Sequence, residues 1–411
     1  MKILFIHQNF PGQFKFLAPA LQKAGHQVAV LVPKQNLKNV QVNKKIALHS
    51  YPLLRGNTKG IHDWLLDLES KVIRGQSCAK YALSMKEAGY IPDIIIAHPG
   101  WGESLFLKEV WPDAILKIYC EFYYLAEGAD TGFDPEFPVT DPLNACRLQM
   151  KNLSMLSHFE VADQLLAPTH WQASTFPERI RKKITVIHDG INTSKVRRDP
   201  GRSFTVPSNI QLRSDNKVLT YVSRTLEPTR GFHTFMRAVP RLLAIDSELQ
   251  ILIVGNEGKG YGSRPKNGDS WKNILEAENI SNLPKEFKSR VHFLGRLQYE
   301  DFLSVLSIST VHIYLTYPFV LSWSFMEAMS MGCAIVASDT RPVNEVVTHD
   351  KEGLLVDFFS PEAVVGAVET LLLDEKLRAR LGASARKKVV EHYDLFEKSL
   401  PRLMEWACST P

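Results

Sequence analysis

The sequence predicts an α/β protein of two consecutive domains, each built on a parallel sheet. Three observations lead there. Short apolar runs rich in β-branched residues alternate with amphipathic stretches. That rhythm stops at a polar segment and then restarts. The chain has 411 residues, more than one ordinary core accommodates and suited to two domains of about 200 residues each.

In the first half the apolar runs are ILFIH (3–7), VAVLV (28–32), DIIIAH (93–98), ILKIYC (115–120), LLAP (165–168) and ITVIH (184–188). Gly, Pro or Asp bounds them, as expected of strands buried on both faces. Between the first two lies FKFLAPALQKAG (14–25), a helical stretch closed by Gly25. NTSKVRRDPGRSFTVPSNIQLRSDNK (192–217) is rich in charge, Pro, Ser and Asn and reads as a linker. Beyond it come VLTYVS (218–223), LQILIVG (249–255), VHFLG (291–295), VHIYLT (311–316) and AIVAS (334–338). The expected domains are therefore 1–190 and 191–391, with a C-terminal helix, about 392–411, joining the first. That last stretch, KKVVEHYDLFEKSLPRLMEWA, is helical in pattern and should kink or turn at Pro401.

Composition is ordinary for a globular protein, with 45% apolar and 23% charged residues. No apolar run reaches the roughly 18 residues a membrane span needs. The opening MKILFIHQNF lacks a small-residue cleavage site and reads as a buried strand rather than a signal peptide. The five cysteines (Cys78, Cys120, Cys146, Cys333, Cys408) are scattered, which argues against a disulfide framework or a zinc site and suits a reducing, cytoplasmic setting. Net charge is +5, unevenly placed. Lys2, Lys15, Lys23, Lys34, Lys38, Lys44, Lys45, Arg55 and Lys59 all precede the first acidic residue, Asp63. Such an edge attracts anionic lipid headgroups or a phosphate-bearing substrate; a solvated basic face is the plainer reading. The expectation is weak, peripheral association with an anionic membrane on its inner face, and no nucleic-acid partner.

In open α/β sheets ligands sit beyond the carboxyl ends of the strands, so residues just after the apolar runs are the site candidates. After ILFIH the turn QNFPGQF carries Gly12, which either lets the backbone approach a ligand or simply makes a Pro-Gly turn. The first run of the second half ends in SRTLEPTRG, where Arg224 and Arg230 flank a turn before Gly231. Two guanidiniums there suit a pyrophosphate clamp; they also suit surface ion pairs. Further on, a helix should start near Ser322 as N-cap and end at Met331 before Gly332, aiming its N-terminal amides at a ligand. Glu327 lies inside this largely apolar helix and needs a partner, either ligand hydroxyls or an arginine of the protein.

These segments, in this order, resemble the glycosyltransferase family 4 group, whose members have the GT-B fold of two facing Rossmann-like domains with a cleft between them. The likeness covers nearly the whole chain and is strongest in SRTLEPTRG, LQILIVGNE, VHFLGRL and FMEAMSMGCAIVASDTRPVNEVV. The resemblance implies roles for particular residues. Arg224 and Arg230 would hold the donor phosphates, with Arg230 standing where a lysine is usual. Phe293 and Leu294 would meet the nucleotide base through their backbone. Ser322 and Trp323 form the helix start that holds the distal phosphate, and Glu327 would bind ribose hydroxyls. Gly12 would belong to the loop covering the donor phosphate, and His98 would stand near the transferred sugar, unless it is a hydrogen-bonded core histidine.

Two departures from the family pattern matter. The first glutamate of the E-x7-E motif is replaced by Phe319, and Glu121 stands where many relatives carry histidine. Glu121 and Glu103 are candidates for acceptor hydroxyls or for ion pairs within the first domain. The activity implied is retaining, metal-independent transfer of a hexose from a nucleotide-diphosphate sugar, a UDP-sugar before a GDP- or ADP-sugar, to a saccharide, lipid-linked or small-molecule acceptor. This would serve polysaccharide or glycoconjugate synthesis, with no separate cofactor. Absence of any Asp-x-Asp is consistent with a metal-free site. A nucleotide-sugar 2-epimerase of the same fold and a non-catalytic sugar-nucleotide-binding protein are the alternatives.

Overall fold

The computed structural model describes residues 1–410 except Gln41, Ser263, Lys266 and Asn267. The chain divides into two units, Met1–Gly190 with Phe396–Pro411, and Ile191–Leu395.

The first unit is built on a seven-stranded parallel sheet: β1 (Lys2–Ile6), β2 (Gln27–Pro33), β3 (Ala47–Tyr51), β4 (Ile94–Ala97), β5 (Ile115–Tyr119), β6 (Gln164–Ala167) and β7 (Ile184–Val186), ordered β3-β2-β1-β4-β5-β6-β7. The order reverses direction between β1 and β4, so their connections leave on opposite faces and open a crevice at their carboxyl ends. Pairing runs from Ile3↔Ile94 to Ile6↔Ala97. It brings the next residue of each strand, His7 and His98, side by side, with rings 5.2 Å apart. β3 is an addition to the expected strands.

The C-terminal helix Leu400–Cys408 completes this unit through an unusual tether. Lys117, in the middle of β5, is fully buried; its ammonium donates to the carbonyl oxygens of Trp406 and Ser409 (2.7 Å for the latter) and to Gln164 Oε1 at 2.8 Å. Burial lowers its pKa to about 8. Lys117→Ala should cost about 3 kcal/mol, because two helix-end carbonyls lose their donor in a dry site. Urea unfolding reads the loss, and hydrogen exchange should rise first in Leu400–Cys408. Unchanged exchange there would contradict the tether.

The second unit begins with the antiparallel pair β8 (Phe204–Thr205) and β9 (Gln211–Leu212). Its parallel sheet comprises β10 (Val218–Thr225), β11 (Gln250–Asn256), β12 (Val291–Gly295), β13 (Val311–Tyr314), β14 (Ala334–Ser338) and β15 (Leu354–Val356), ordered β12-β11-β10-β13-β14-β15. Here the reversal falls between β10 and β13. The expected linker at 192–217 is corrected: Val196, Val206 and Leu212 are buried in this unit's core, so the segment is part of the unit despite its polar composition. The break expected at Pro401 is also moved. The helix Glu375–Tyr393 ends before Asp394, and Pro401 sits in the first turn of the final helix, where its missing N–H costs nothing.

Candidate functional site

At the carboxyl end of β10, Arg224 is exposed and Arg230 is buried to 7% exposure. Arg230 donates through Nη1 to Tyr314 Oη (3.2 Å), Thr316 Oγ1 (2.8 Å) and the Val320 carbonyl (3.0 Å). Arg224 donates to Tyr261 Oη at 3.3 Å. Neither guanidinium has a carboxylate within ion-pair distance among the described residues, so the reading as surface ion pairs fails. A buried cation without a counter-ion is costly and marks a place prepared for an anion. Between them the chain turns through Pro228–Arg230 and Gly231, whose φ is +65°. A β-carbon on Gly231 would stand 2.3 Å from Leu315 Cβ, so this close approach requires glycine.

The expected helix is Trp323–Met331, capped by Ser322, whose Oγ accepts from the Ser324 amide at 3.2 Å, and closed by Gly332 at φ +75°. Its start is tied to Arg230 through one group: the Ser322 amide donates to Tyr314 Oη at 3.0 Å, the same hydroxyl that receives Arg230. Trp323 is exposed. Glu327 accepts a hydrogen bond from Tyr299 Oη at 2.6 Å. Burial and that carboxylate push the Tyr299 phenol up. Phe293 and Leu294 lie on β12, at the sheet edge, with the Lys272 ammonium 5.1 Å from the Phe293 ring.

Phe319 is buried, its ring 5.0 Å from that of Tyr261 and 5.8 Å from the Arg230 guanidinium. Tyr261 and Glu227 are site residues the sequence reading missed. The Glu227 carboxylate accepts from the amides of Tyr261 (3.0 Å) and Gly262 (2.8 Å), holding the tyrosine ring over both arginines. A signal was available: an acid set between two arginines, and glycines on both sides of Tyr261.

In the first unit, His7 and His98 follow β1 and β4. Each uses Nδ1 as acceptor, from the amides of Asn9 (2.9 Å) and Gly100 (3.1 Å), which leaves the proton on Nε2. His7 Nε2 meets Gln13 Oε1 at 2.9 Å; Gln13 Nε2 reaches Glu121 Oε1 at 3.4 Å; Glu121 Oε2 stands 3.4 Å from His98 Nε2, off hydrogen-bond geometry. Burial holds His7 neutral, with a pKa lowered to about 3. Gly12, at φ +46°, lies against this histidine: a β-carbon there would stand 2.5 Å from the His7 ring. Glu121 is 43% exposed, whereas His98 is buried.

Glu103 is placed quite differently from Glu121. It is 1% exposed, and neither carboxyl oxygen has a hydrogen-bond partner of good geometry, although Tyr51 Oη lies alongside. Burial raises its pKa to about 7, opposed by Arg74 and His98. The folded state therefore holds this proton more tightly than the unfolded chain does. Its contribution is fully present below the ordinary carboxylate pKa and is lost as pH rises through 7. Glu103→Gln mimics the protonated form, so its stability relative to the native protein should improve between pH 5 and pH 8.5 by about 2–3 kcal/mol. Urea midpoints at the two pH values check this, and a gap that does not widen with pH would contradict it.

Of the nine early basic residues, all but Lys2 are exposed, and Arg55 pairs with Glu69 at 3.0 Å. Among the described residues no helix is long and apolar enough to cross a membrane, and no group of three or more His, Cys, Asp or Glu is arranged to hold a metal ion.

Two family models match the chain in succession: glycosyl transferase family 4 group over residues 24–196, and glycosyl transferases group 1 over 205–388. Among curated proteins, the uncharacterized glycosyltransferase MJ1069 of Methanocaldococcus jannaschii is 26% identical over 216 residues, covering 52% of this chain and 50% of that protein. The phosphatidyl-myo-inositol mannosyltransferase of Mycolicibacterium smegmatis is 26% identical over 44% of this chain and 42% of its own. The D-inositol 3-phosphate glycosyltransferase of Corynebacterium glutamicum is 27% identical over 44% and 40%. The chain thus spans half, or less, of the length of these relatives. Among solved structures, sucrose-phosphate synthase from Thermosynechococcus elongatus superposes with a TM-score of 0.72 at 17% identity, covering 99% of this chain and 98% of that one. Anabaena Alr3699/HepE, in complex with UDP and glucose, superposes at 0.65 with 16% identity over 100% of both. At such identities the likeness is one of fold.

Proposed function

The chain belongs to the glycosyltransferase family 4 group, with the GT-B pair of Rossmann-like units, and from that premise we propose that it is a retaining transferase using a nucleotide-diphosphate sugar, a UDP-sugar first. The observation that carries the reading is the pair Arg224 and Arg230, two guanidiniums without carboxylate partners among the described residues, of which Arg230 is joined through Tyr314 to the start of the Trp323–Met331 helix. As the glycosidic bond to the phosphate breaks, negative charge grows on the leaving diphosphate. Fixed guanidiniums and helix-end amides stabilise it without reorganising, which is the electrostatic contribution that usually dominates. This arrangement supplies the charge a divalent cation would otherwise bring, and transfer is proposed to be metal-independent.

Glu327 is suited to ribose hydroxyls, and the exposed carboxylate of Glu121, beside His98, to an acceptor hydroxyl. The acceptor attacks the face the phosphate leaves, and the departing phosphate takes its proton. In this reading the acceptor carries hydroxyls; the inositol-based acceptors named for two relatives belong to that chemical class.

A thermal-shift screen of UDP, GDP and ADP with their sugars tests the donor. A nucleotide at 100 times its dissociation constant should add about 2.7 kcal/mol. Incubation of the responding sugar nucleotide with EDTA and no acceptor should give slow release of free sugar with its original anomeric configuration, read by NMR. Conversion of the donor into its 2-epimer, or no response to any nucleotide, would overturn the reading.

A further inference from the structure

The chain beyond β11 is fastened to the turn that carries Arg224 and Arg230, and the acid between those arginines does the fastening. Glu227 is 3% exposed and stands three positions from each arginine. A buried carboxylate beside two guanidiniums is expected to pair with one of them. Instead Glu227 has no ion pair among the described residues and accepts from the amides of Tyr261 and Gly262. Such bonds from amides to a carboxylate are charge-assisted and strong. The two segments lie so close that a β-carbon on Gly260 would stand 2.1 Å from Glu227 Oε2, an atom the Gly262 amide holds in place.

This fastening sets Tyr261 against the guanidiniums. Its ring centre lies 5.9 Å from the Arg224 guanidinium and 5.6 Å from that of Arg230. The hydroxyl accepts from Arg224 Nη1 at 3.3 Å. A phenol also has one proton to donate, and here that proton has no acceptor among the described residues. Arg230 uses Nη1 on the protein, while its Nη2 and Nε make no hydrogen bond among the described residues. Tyr261 is 51% exposed, so a ligand can reach its hydroxyl. One hydroxyl and two guanidiniums thus gather open donors at one strand end, with the nearby acid engaged elsewhere. That chemistry suits an anion with several acceptor oxygens.

We propose that Tyr261 is a third hydrogen-bond donor to the departing diphosphate, beside Arg224 and Arg230, and that Glu227 is the positioning residue that holds it there. As the bond from the anomeric carbon to the phosphate oxygen breaks, its electron pair stays on that oxygen. The Tyr261 hydroxyl donates a hydrogen bond to the distal phosphate and keeps its own proton. A donor fixed before the charge develops stabilises it without reorganising. Glu227, by taking the two amides, also leaves both guanidiniums to the ligand. The assignment deepens the transfer reading above and rests on it for the diphosphate.

Calorimetric titration of UDP and of UMP into the full chain is the test, in the native protein and in Tyr261→Phe, which keeps the ring and removes the hydroxyl. If GDP or ADP responds instead in the thermal-shift screen, that nucleotide and its monophosphate take their place. UDP affinity should fall about tenfold, the lower end for a hydrogen bond to a charged group. UMP lacks the distal phosphate and should bind both proteins alike. Release of sugar from the saturating donor should also slow, because the contact strengthens as charge grows. Glu227→Gln turns one acceptor oxygen into a donor facing an amide. It should weaken UDP in the native background and add no further loss to Tyr261→Phe. If urea midpoints show that this buried substitution disturbs the fold, Gly260→Ala displaces the same contact and should behave likewise. Undiminished UDP binding in Tyr261→Phe, or equal losses of UDP and UMP, would overturn the assignment and leave the donor reading standing. Losses that add in the double variants would remove Glu227 from its positioning role. Failure of every nucleotide to bind the native protein would sink the donor reading. Inorganic pyrophosphate then decides the anion site: weaker binding in Tyr261→Phe retains it, and equal or absent binding overturns it.

Discussion

Arg224→Ala is expected to lower transfer 10²–10³-fold while leaving the unfolding transition where it is. The side chain is exposed and its one hydrogen bond among the described residues goes to a tyrosine hydroxyl, so the folded state loses little. The transition state loses a positioned charge, worth about 2–4 kcal/mol. Arg230→Ala should lose as much rate and, in addition, stability. Its guanidinium fastens Tyr314, Thr316 and the Val320 carbonyl. Truncation removes that donor from the Thr316 hydroxyl and the Val320 carbonyl, at about 1–3 kcal/mol, while Tyr314 Oη keeps the Ser322 amide. The two arginines therefore share a chemical role and differ in structural cost. Transfer assays paired with urea unfolding separate the two. Full activity in either variant, or equal stability losses in both, contradicts this division.

Phe319→Ala should be the most destabilising single change in the second unit's candidate site, at about 3–5 kcal/mol. The ring is 3% exposed and fills the space between Tyr261 and Arg230. Removing it leaves a cavity against a buried guanidinium. Phe319→Leu keeps most of the volume and should cost less than about 1.5 kcal/mol, which makes it the variant for binding work. With the apolar wall reshaped, it should alter which donor sugar is preferred and leave affinity for bare UDP nearly unchanged. Glu327→Ala should weaken UDP and UDP-sugar alike. Calorimetry with nucleotide and nucleotide sugar decides this; if Phe319→Leu and Glu327→Ala lose UDP equally, Phe319 does not face the sugar.

What the sequence determined by itself was whatever depends on local chemistry. The apolar runs at 3–7, 28–32, 218–223 and 334–338 became strands because strands buried on both faces need continuous apolar residues. The Trp323–Met331 helix was legible at both ends, since an N-cap serine and a left-handed closing glycine act within one turn. Arg224, Arg230 and Glu327 were legible as candidates because charge beside an apolar strand or within an apolar helix needs a reason.

Tertiary structure decided what depends on distant partners. β3 is an edge strand with exposed residues, so it lacked the apolar run that betrayed the others. Residues 192–217 looked like a linker because only isolated apolar residues, Val196, Val206 and Leu212, enter the core. That Arg224 and Arg230 lack carboxylate partners among the described residues, that Glu227 fastens Tyr261 from 34 positions away, and that Glu103 is sealed beside Tyr51 while Glu121 stays open are facts of packing. Each depends on contacts between segments far apart in the sequence, which no local pattern encodes.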